Sequence, residues 1–507
     1  MSHPSSVSSA RVVVSGPAAP PARPEVVARM AAIVGARQVI HDPADLATYE
    51  CDALASFRAR PGLVVLPAST AEVVAVMKLA REVGMPVVPR GAGTGLSGGA
   101  LPTPGCVVLS LARMTAILEV DVDNGFMRAQ PGVINLDVSK HLAPLGYYYA
   151  PDPSSQSVCT IGGNLAENSG GAHCLKYGFT SHHVRGVRLV TAEGEIVDLG
   201  GPVLDAPGYD LLGVLVGSEG TLGVATEIVL RILRRPEATR TFFAAFPSTA
   251  EAGACVSEII GRGIVPAAIE MMDRLAIEAA IRAVAVDWPI DAPRVGAALL
   301  MDVDGPLGEV EHTAREALAI AGRGGAIYVR VPRDEDERTL MWKGRKSAFA
   351  AMGRLAPNYI VQDGVIPRTE IARVLAEIQA LADAAGLRVA NVFHAGDGNL
   401  HPLVLFDARV PGQEQVAEAL SGEILRLCIR AGGSITGEHG VGADKAPYMA
   451  EMFSEADLDT MAKVRCAFDP ETRCNPHKIF PTPRLCGDRP GPYRPHATER
   501  DGRADRG

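Results

Sequence analysis

CxxC pairs are missing from this 507-residue chain, whose nine cysteines are scattered between Cys51 and Cys486. That scatter excludes a secreted disulfide scaffold and predicts a reducing compartment. It also excludes a resident iron–sulfur cluster, so a redox protein of this composition has to export its electrons. Positive charge is in short supply as well. The 49 Lys and Arg are outnumbered by 58 Asp and Glu, a formal charge of −9, which offers nucleic acid no cationic face. An anionic ligand must then be held by a local cation. No apolar run has the length to cross a bilayer, and the three valines at Val12 to Val14 are too few for a signal core. A cytoplasmic protein is the expectation.

Glycine (53) and proline (37) are plentiful, which implies many tight turns, and the length calls for two cores. Segments 1–24 and 484–507 read as disordered tails, 25–236 as a first domain and 237–483 as a second. In the first, Val26, Val27, Met30, Ile33 and Val34 recur at helical spacing before a stop at Gly35. Leu63 to Leu66 reads as a strand, Ser69 with Glu72 as a capping box opening a helix towards Gly84, and Pro86 to Val88 as the next strand. Asn124-Gly125 and Glu193-Gly194 mark hairpins. Arg234-Arg235-Pro236 closes the domain. Beyond it strands (241–246, 297–303, 326–331, 388–393, 400–406) alternate with helices (250–260, 309–321, one through Trp342, 370–385, 413–431). That alternation predicts an open α/β sheet backed by helices.

Residues 89–102, PRGAGTGLSGGALP, contain a literal G-x-G-x-x-G at Gly93, Gly95 and Gly98. A dinucleotide turn of that kind opens a helix, and here Pro102, Thr103, Pro104 and Gly105 forbid one. The loop reads instead as a nest of backbone N–H groups for an anion, with a merely flexible loop as the alternative. Two further glycine-rich stretches follow, Pro151 to Gly178 and Gly217 to Gly223. In the second domain HAGDGNLH spans His394 to His401, and Asp397-Gly398-Asn399 is a turn that folds the two histidines towards one cation. A hydrogen-bonded structural histidine is the commoner reading of either one alone. Gly437-Glu438-His439-Gly440 adds a carboxylate and an imidazole, and two histidines with a glutamate leave metal positions open for a substrate.

The three glycine stretches, in their order and spacing, resemble the FAD-binding (PCMH-type) domain of the vanillyl-alcohol oxidase and p-cresol methylhydroxylase flavoproteins. HAGDGNLHP, GEHG and Asn475-Pro476-His477-Lys478 resemble the C-terminal domain of FAD-linked oxidases. Within them, Trp342-Lys343-Gly344-Arg345-Lys346, Asp363-Gly364-Val365-Ile366-Pro367 and Glu270-Met271-Met272-Asp273 are most similar to the flavin-bearing D subunits of bacterial glycolate oxidases. The resemblance covers roughly Asp42 to Pro483. It implies an α+β protein: an FAD-binding domain of two α/β subdomains, then a ferredoxin-like α/β substrate domain with C-terminal helices.

It further implies that Arg90, Gly91, Ala92, Gly93, Thr94, Gly95, Gly98 and Gly99 wrap the FAD pyrophosphate. Pro151, Asp152, Ser154, Thr160, Gly162, Gly163, Asn164, Asn168, Gly170, Gly171, Tyr177 and Gly178 would line the flavin side. Glu219, Gly220, Gly223 and Val224 would close the adenosine side. Thr94 stands near where covalent members carry a histidine, so non-covalent FAD is expected. His394, His401 and Glu438 would ligate a divalent metal, zinc or manganese, with His439 as general base, Asn399 as a substrate contact and Arg345 as carboxylate clamp.

The implied activity is oxidation of a 2-hydroxy acid, with hydride passing to the flavin and electrons to companion flavin and iron–sulfur subunits or a quinone, at most peripherally on the inner membrane face. Val361 and Gln362 stand where dicarboxylate-using members carry a lysine, which favours glycolate or D-lactate over D-2-hydroxyglutarate. A metal-dependent hydrolase and a non-catalytic FAD-binding subunit are the alternatives of another class.

Overall fold

The computed structural model describes residues 22–203, 208–284, 288 and 294–481. Save for residues 22–24, the two expected tails lie outside the described residues. Helix Pro24–Val34 buries Val26, Met30 and Val34 on one face, against helix Thr70–Glu82 in a shared core. The capping pair is offset by one residue. Ser69 Oγ accepts from the Glu72 N–H at 3.2 Å, while the Glu72 carboxylate takes the Ala68 N–H at 2.8 Å. Below these helices lies a four-stranded sheet in the order Val39–Ile40, Leu63–Val65, Val107–Ser110, Val87–Arg90, the last three parallel.

A second sheet follows, with strands Ile117–Asp121, Phe126–Ala129, Val224–Arg231, Val184–Val190 and Ile196–Gly200 in that spatial order, all antiparallel. The two hairpins expected from Asn-Gly and Glu-Gly form its two edges. The rest of the described chain is organised by a nine-stranded sheet whose pairings are antiparallel throughout.

Helices Thr249–Gly261, Leu307–Arg323, Ile371–Ala385 and Gln413–Arg430 cover one face of that sheet. Arg274–Ala283 and Glu335–Ala351 cover the other. Strand Ala238–Phe246 sends Phe242, Ala244 and Phe246 to the first core and Phe243 and Ala245 to the second, so it is apolar without alternation. The sequence reading lacks the sheet's central strand, Ala268–Asp273, buried over five of its six residues.

The late chain returns to the first sheet. Cys474 bridges Val87, Asn475 Nδ2 donates to the carbonyls of Gly99 (2.8 Å) and Glu219 (2.6 Å), and Lys478 Nζ donates to that of Leu101 (2.9 Å). Among the described residues no helix is long and apolar enough to cross a membrane. Seven cysteines among the described residues are free thiols. Cys466 is disulfide-bonded, a bond where a reducing compartment predicts none.

Candidate functional site

A cavity of about 790 Å³ opens beneath the first glycine loop, towards the upper end of the ~300–1,000 Å³ range of ligand pockets. No helix follows the loop; the chain runs irregularly to strand Val107–Ser110. Arg90, Gly91, Ala92, Gly93, Thr94, Gly95 and Gly99 line the cavity, with Ser154, Thr160, Gly162, Gly163 and Asn164 and with Glu219, Gly220, Gly223 and Val224. These glycines let separate loops meet at one wall. A Cβ on Gly162 would stand 2.5 Å from Pro131 Cβ, and Thr160 Oγ1 caps the Gly163 N–H at 3.2 Å. A wall of glycine backbone around a large cavity fits FAD.

Eight expected flavin residues are off the cavity wall and hold its frame instead. Gly98 packs on Ala443, and the Pro151 carbonyl accepts from Asn135 Nδ2. Asp152 pairs with His173 at 3.0 Å. Asn168 ends helix Ile161–Glu167 with φ 54° and caps the Ser181 N–H through Oδ1. Gly170 and Gly171 make room for Phe179 and Asp152, Tyr177 donates to Asp304 at 2.8 Å, and Gly178 caps the short helix Cys174–Tyr177. Glu167, absent from the sequence reading, does line the cavity. Burial, then Glu219 and Asp52, push its pKa well up.

Glu438 and His439 line the same cavity, which brings the second-domain motifs to the flavin loops. Strand Arg388–His394 turns through Gly398 (φ 80°) into Asn399–Leu400, and the His394 and His401 rings stand 5.1 Å apart. His394 Nε2 lies 3.4 Å from Glu438 Oε1 and His401 Nε2 lies 3.3 Å from the same oxygen. Ligand atoms of these three residues all fall within 4.8 Å of one another. Among the described residues, His401 Nε2 and Glu438 Oε2 are buried without a hydrogen-bond partner. Two imidazoles and a carboxylate, converging and unsatisfied, fit a divalent cation.

Ligand atoms of a second trio, Asp363, His401 and His439, also fall within 4.8 Å of one another, but Asp363 is already saturated. It accepts from Thr436 Oγ1 (2.7 Å), from the N–H groups of Gly437 (3.0 Å), Glu438 (3.2 Å) and His439 (2.9 Å), and from Lys445 Nζ (3.1 Å). Burial opposes its charge, yet Lys445 and the two histidines hold its pKa well below the carboxylate range. Asp363 is therefore the anchor of the loop that carries Glu438 and His439. The His439 ring stacks on His401 at 5.0 Å. Burial outweighs the attraction of Asp363 and pushes the His439 pKa down to about 4, leaving a neutral imidazole at neutral pH.

Asn399 is buried with both amide atoms unpartnered, pressed on Gly437, where a Cβ would come within 2.5 Å. Arg345 is buried and off the cavity wall, its Nη2 paired with Glu270 Oε2 and its Nε without a partner. Glu270 is a site residue whose role the sequence reading missed, because a carboxylate in an apolar strand shows no partner until register is known.

Fold and site together define an FAD-dependent oxidoreductase with a hydroxy-acid chemistry. Residues 61–200 match the model of the FAD binding domain, and 235–479 that of the C-terminal domain of FAD linked oxidases. The chain is 46% identical over 451 residues to glycolate oxidase subunit GlcD of Escherichia coli (strain K12), covering 89% of this chain and 90% of that protein. It is 39% identical to the subunit of the same name from Bacillus subtilis (strain 168), over 85% of this chain and 92% of that one. It is 33% identical to D-lactate dehydrogenase of Anaerostipes hadrus, over 90% and 97%. Substrate-bound p-cresol methylhydroxylase shares the fold, with a TM-score of 0.76 at 16% identity over 90% of this chain and 96% of that one. The chain belongs to the FAD-linked oxidase family.

Proposed function

We propose that the protein oxidises glycolate to glyoxylate, with D-lactate as a second substrate, and passes the electrons to companion flavin and iron–sulfur subunits that bring it to the inner membrane face. The carrying observation is that an unsatisfied donor set and a neutral imidazole stand at one end of a glycine-walled cavity. FAD, when bound, supplies the two-electron acceptor, and a divalent cation such as zinc or manganese lowers the pKa of a hydroxyl beside it. His394, His401 and Glu438 would hold that cation. His439 takes the hydroxyl proton at Nε2, the nitrogen on the Glu438 side, 3.7 Å from Glu438 Oε1, and its low basicity keeps that lone pair free. Arg345, off the cavity wall beside the lining residue Lys346, carries the unpartnered Nε that would meet the substrate carboxylate, and Asn399 would add its unpaired amide.

A short substrate is favoured because Val361 lines the cavity and Gln362 is buried, so neither supplies a cation for a distal carboxylate. The relatives named as glycolate oxidase subunits support the companion partners. The test is dye reduction by purified, FAD-loaded protein with glycolate, D-lactate, L-lactate and D-2-hydroxyglutarate, before and after chelation. Glycolate and D-lactate are expected to turn over and chelation to stop them. Equal rates after complete metal removal, or no turnover of any 2-hydroxy acid, would refute the reading.

A further inference from the structure

Glu270 sits in the middle of strand Ala268–Asp273, fully buried, among Ala268, Ile269, Met271 and Met272. Register sets it directly opposite His394 on the neighbouring strand. Its Oε1 lies 2.6 Å from His394 Nδ1, and its Oε2 forms an ion pair with Arg345. Burying a charge between two sheet faces is costly, and a sheet core of this kind is served as well by an apolar residue. The carboxylate is there for what it touches.

What it touches are the two groups that the function proposed above, on which this inference rests, assigns to opposite ends of one substrate. We infer that Glu270 sets the spacing between Arg345, at the substrate carboxylate, and His394, at the cation beside the hydroxyl, and thereby selects 2-hydroxy acids over 3-hydroxy acids. One carboxyl group supplies both contacts, so the guanidinium and the imidazole are held a short, fixed distance apart. Because both contacts go to one carboxyl group, the arrangement is inferred to accept a carboxylate and a hydroxyl on adjacent carbons. One more carbon between them breaks the fit at one end. Glu270 also takes the proton side of His394, leaving Nε2 with its lone pair towards Glu438, the arrangement by which a carboxylate orients a metal-binding histidine.

The middle of this chain of contacts is paired, and its two ends are buried but unpaired. Arg345 Nε and Glu438 Oε2 have no partner among the described residues. Helix Glu335–Ala351 supports the arrangement by turning Met341, Trp342, Arg345 and Ala348 to the sheet. Glu270 is thus a positioning residue, acting through two others rather than on substrate.

The test uses Glu270→Gln and Glu270→Asp in the full-length, FAD-loaded protein. Three quantities are read: zinc affinity by competition with a chromogenic chelator, Tm, and the kcat/KM ratio of glycolate to 3-hydroxypropionate and of D-lactate to 3-hydroxybutyrate. E270Q is expected to weaken zinc binding by about 10- to 100-fold and to lower both ratios. E270D, a carboxylate one methylene shorter, is expected to recover zinc affinity more than discrimination. A plain structural ion pair predicts a lower Tm with zinc affinity and both ratios unchanged, and that result overturns the inference. If E270Q does not fold, an unchanged ratio in E270D overturns it alone. Wild-type protein that holds no zinc or oxidises no 2-hydroxy acid removes the function itself and the inference with it, a failure told apart because it is read before any substitution.

Discussion

His439, the proposed base, is the residue expected to separate chemistry from cofactor retention. It touches the cavity beside Glu438 and contributes nothing to the glycine wall, so His439→Ala is expected to lower glycolate turnover by about 10²–10⁴-fold with the flavin absorbance of the purified protein unchanged. Gly162 gives the opposite pattern. Gly162→Ala drives a Cβ onto Pro131, an overpacking of about 1–3 kcal/mol, and should purify with depleted FAD while zinc content, measured by metal analysis, stays at the wild-type level. The residues behind these two outcomes were legible because chemistry and turn signal coincide in short motifs. His394 and His401 meet because Asp397-Gly398-Asn399 can only turn. Glu270, Asp363 and Lys445 were illegible as partners: the Glu270 and His394 side chains that bond are 124 positions apart, and Lys445 is 82 from Asp363.

At the level of elements, the loop from Thr436 to His439 is organised around the Asp363 carboxylate, which lies between strands Asn358–Val361 and Gly364–Val365. Asp363→Asn keeps the size and removes the charge that Lys445 and three backbone N–H groups face. The expected loss is about 3–5 kcal/mol, the scale for breaking a buried pair, read as a fall in Tm. Turnover should vanish with it, because Glu438 and His439 lose their seat. Most elements were predictable from local chemistry. Asn124-Gly125 forces a hairpin, and Ser69 caps helix Thr70–Glu82 through the Glu72 N–H as its sequence suggests. Strand Ala268–Asp273 was not, since a run buried on both faces carries no period of two and Glu270 interrupts its apolar character. The alternation of strand and helix correctly implied helices over a sheet, but says nothing of strand direction.

For the whole molecule, the seam between the flavin-binding half and the helix Glu335–Ala351 is held by His173, stacked on Trp342 at 6.1 Å, and by Asp152, which also faces Lys346 at 3.6 Å. Burial works against charge on both, yet each steadies the other: Asp152 titrates below its ordinary value and His173 above its own. The His173 contribution is complete below its unfolded value of about 6.5 and fades as pH rises through the raised folded one. The Asp152 contribution is present above its unfolded value of about 3.9 and fades as pH falls through the lowered one. The Tm difference between wild type and Asp152→Asn is therefore expected to be widest between about pH 4 and 6.5 and to narrow in alkali; a difference that grows in alkali contradicts this pairing.

Asn475 grips the carbonyl of Gly99 across 376 positions of chain, and Lys478 grips that of Leu101. On the ribosome, the loop that wraps the dinucleotide thus emerges long before the side chains that brace it. Nascent protein would stay colourless and empty until residue 478 has been translated, and a protease nick near residue 470 should bleach a mature molecule without touching His439.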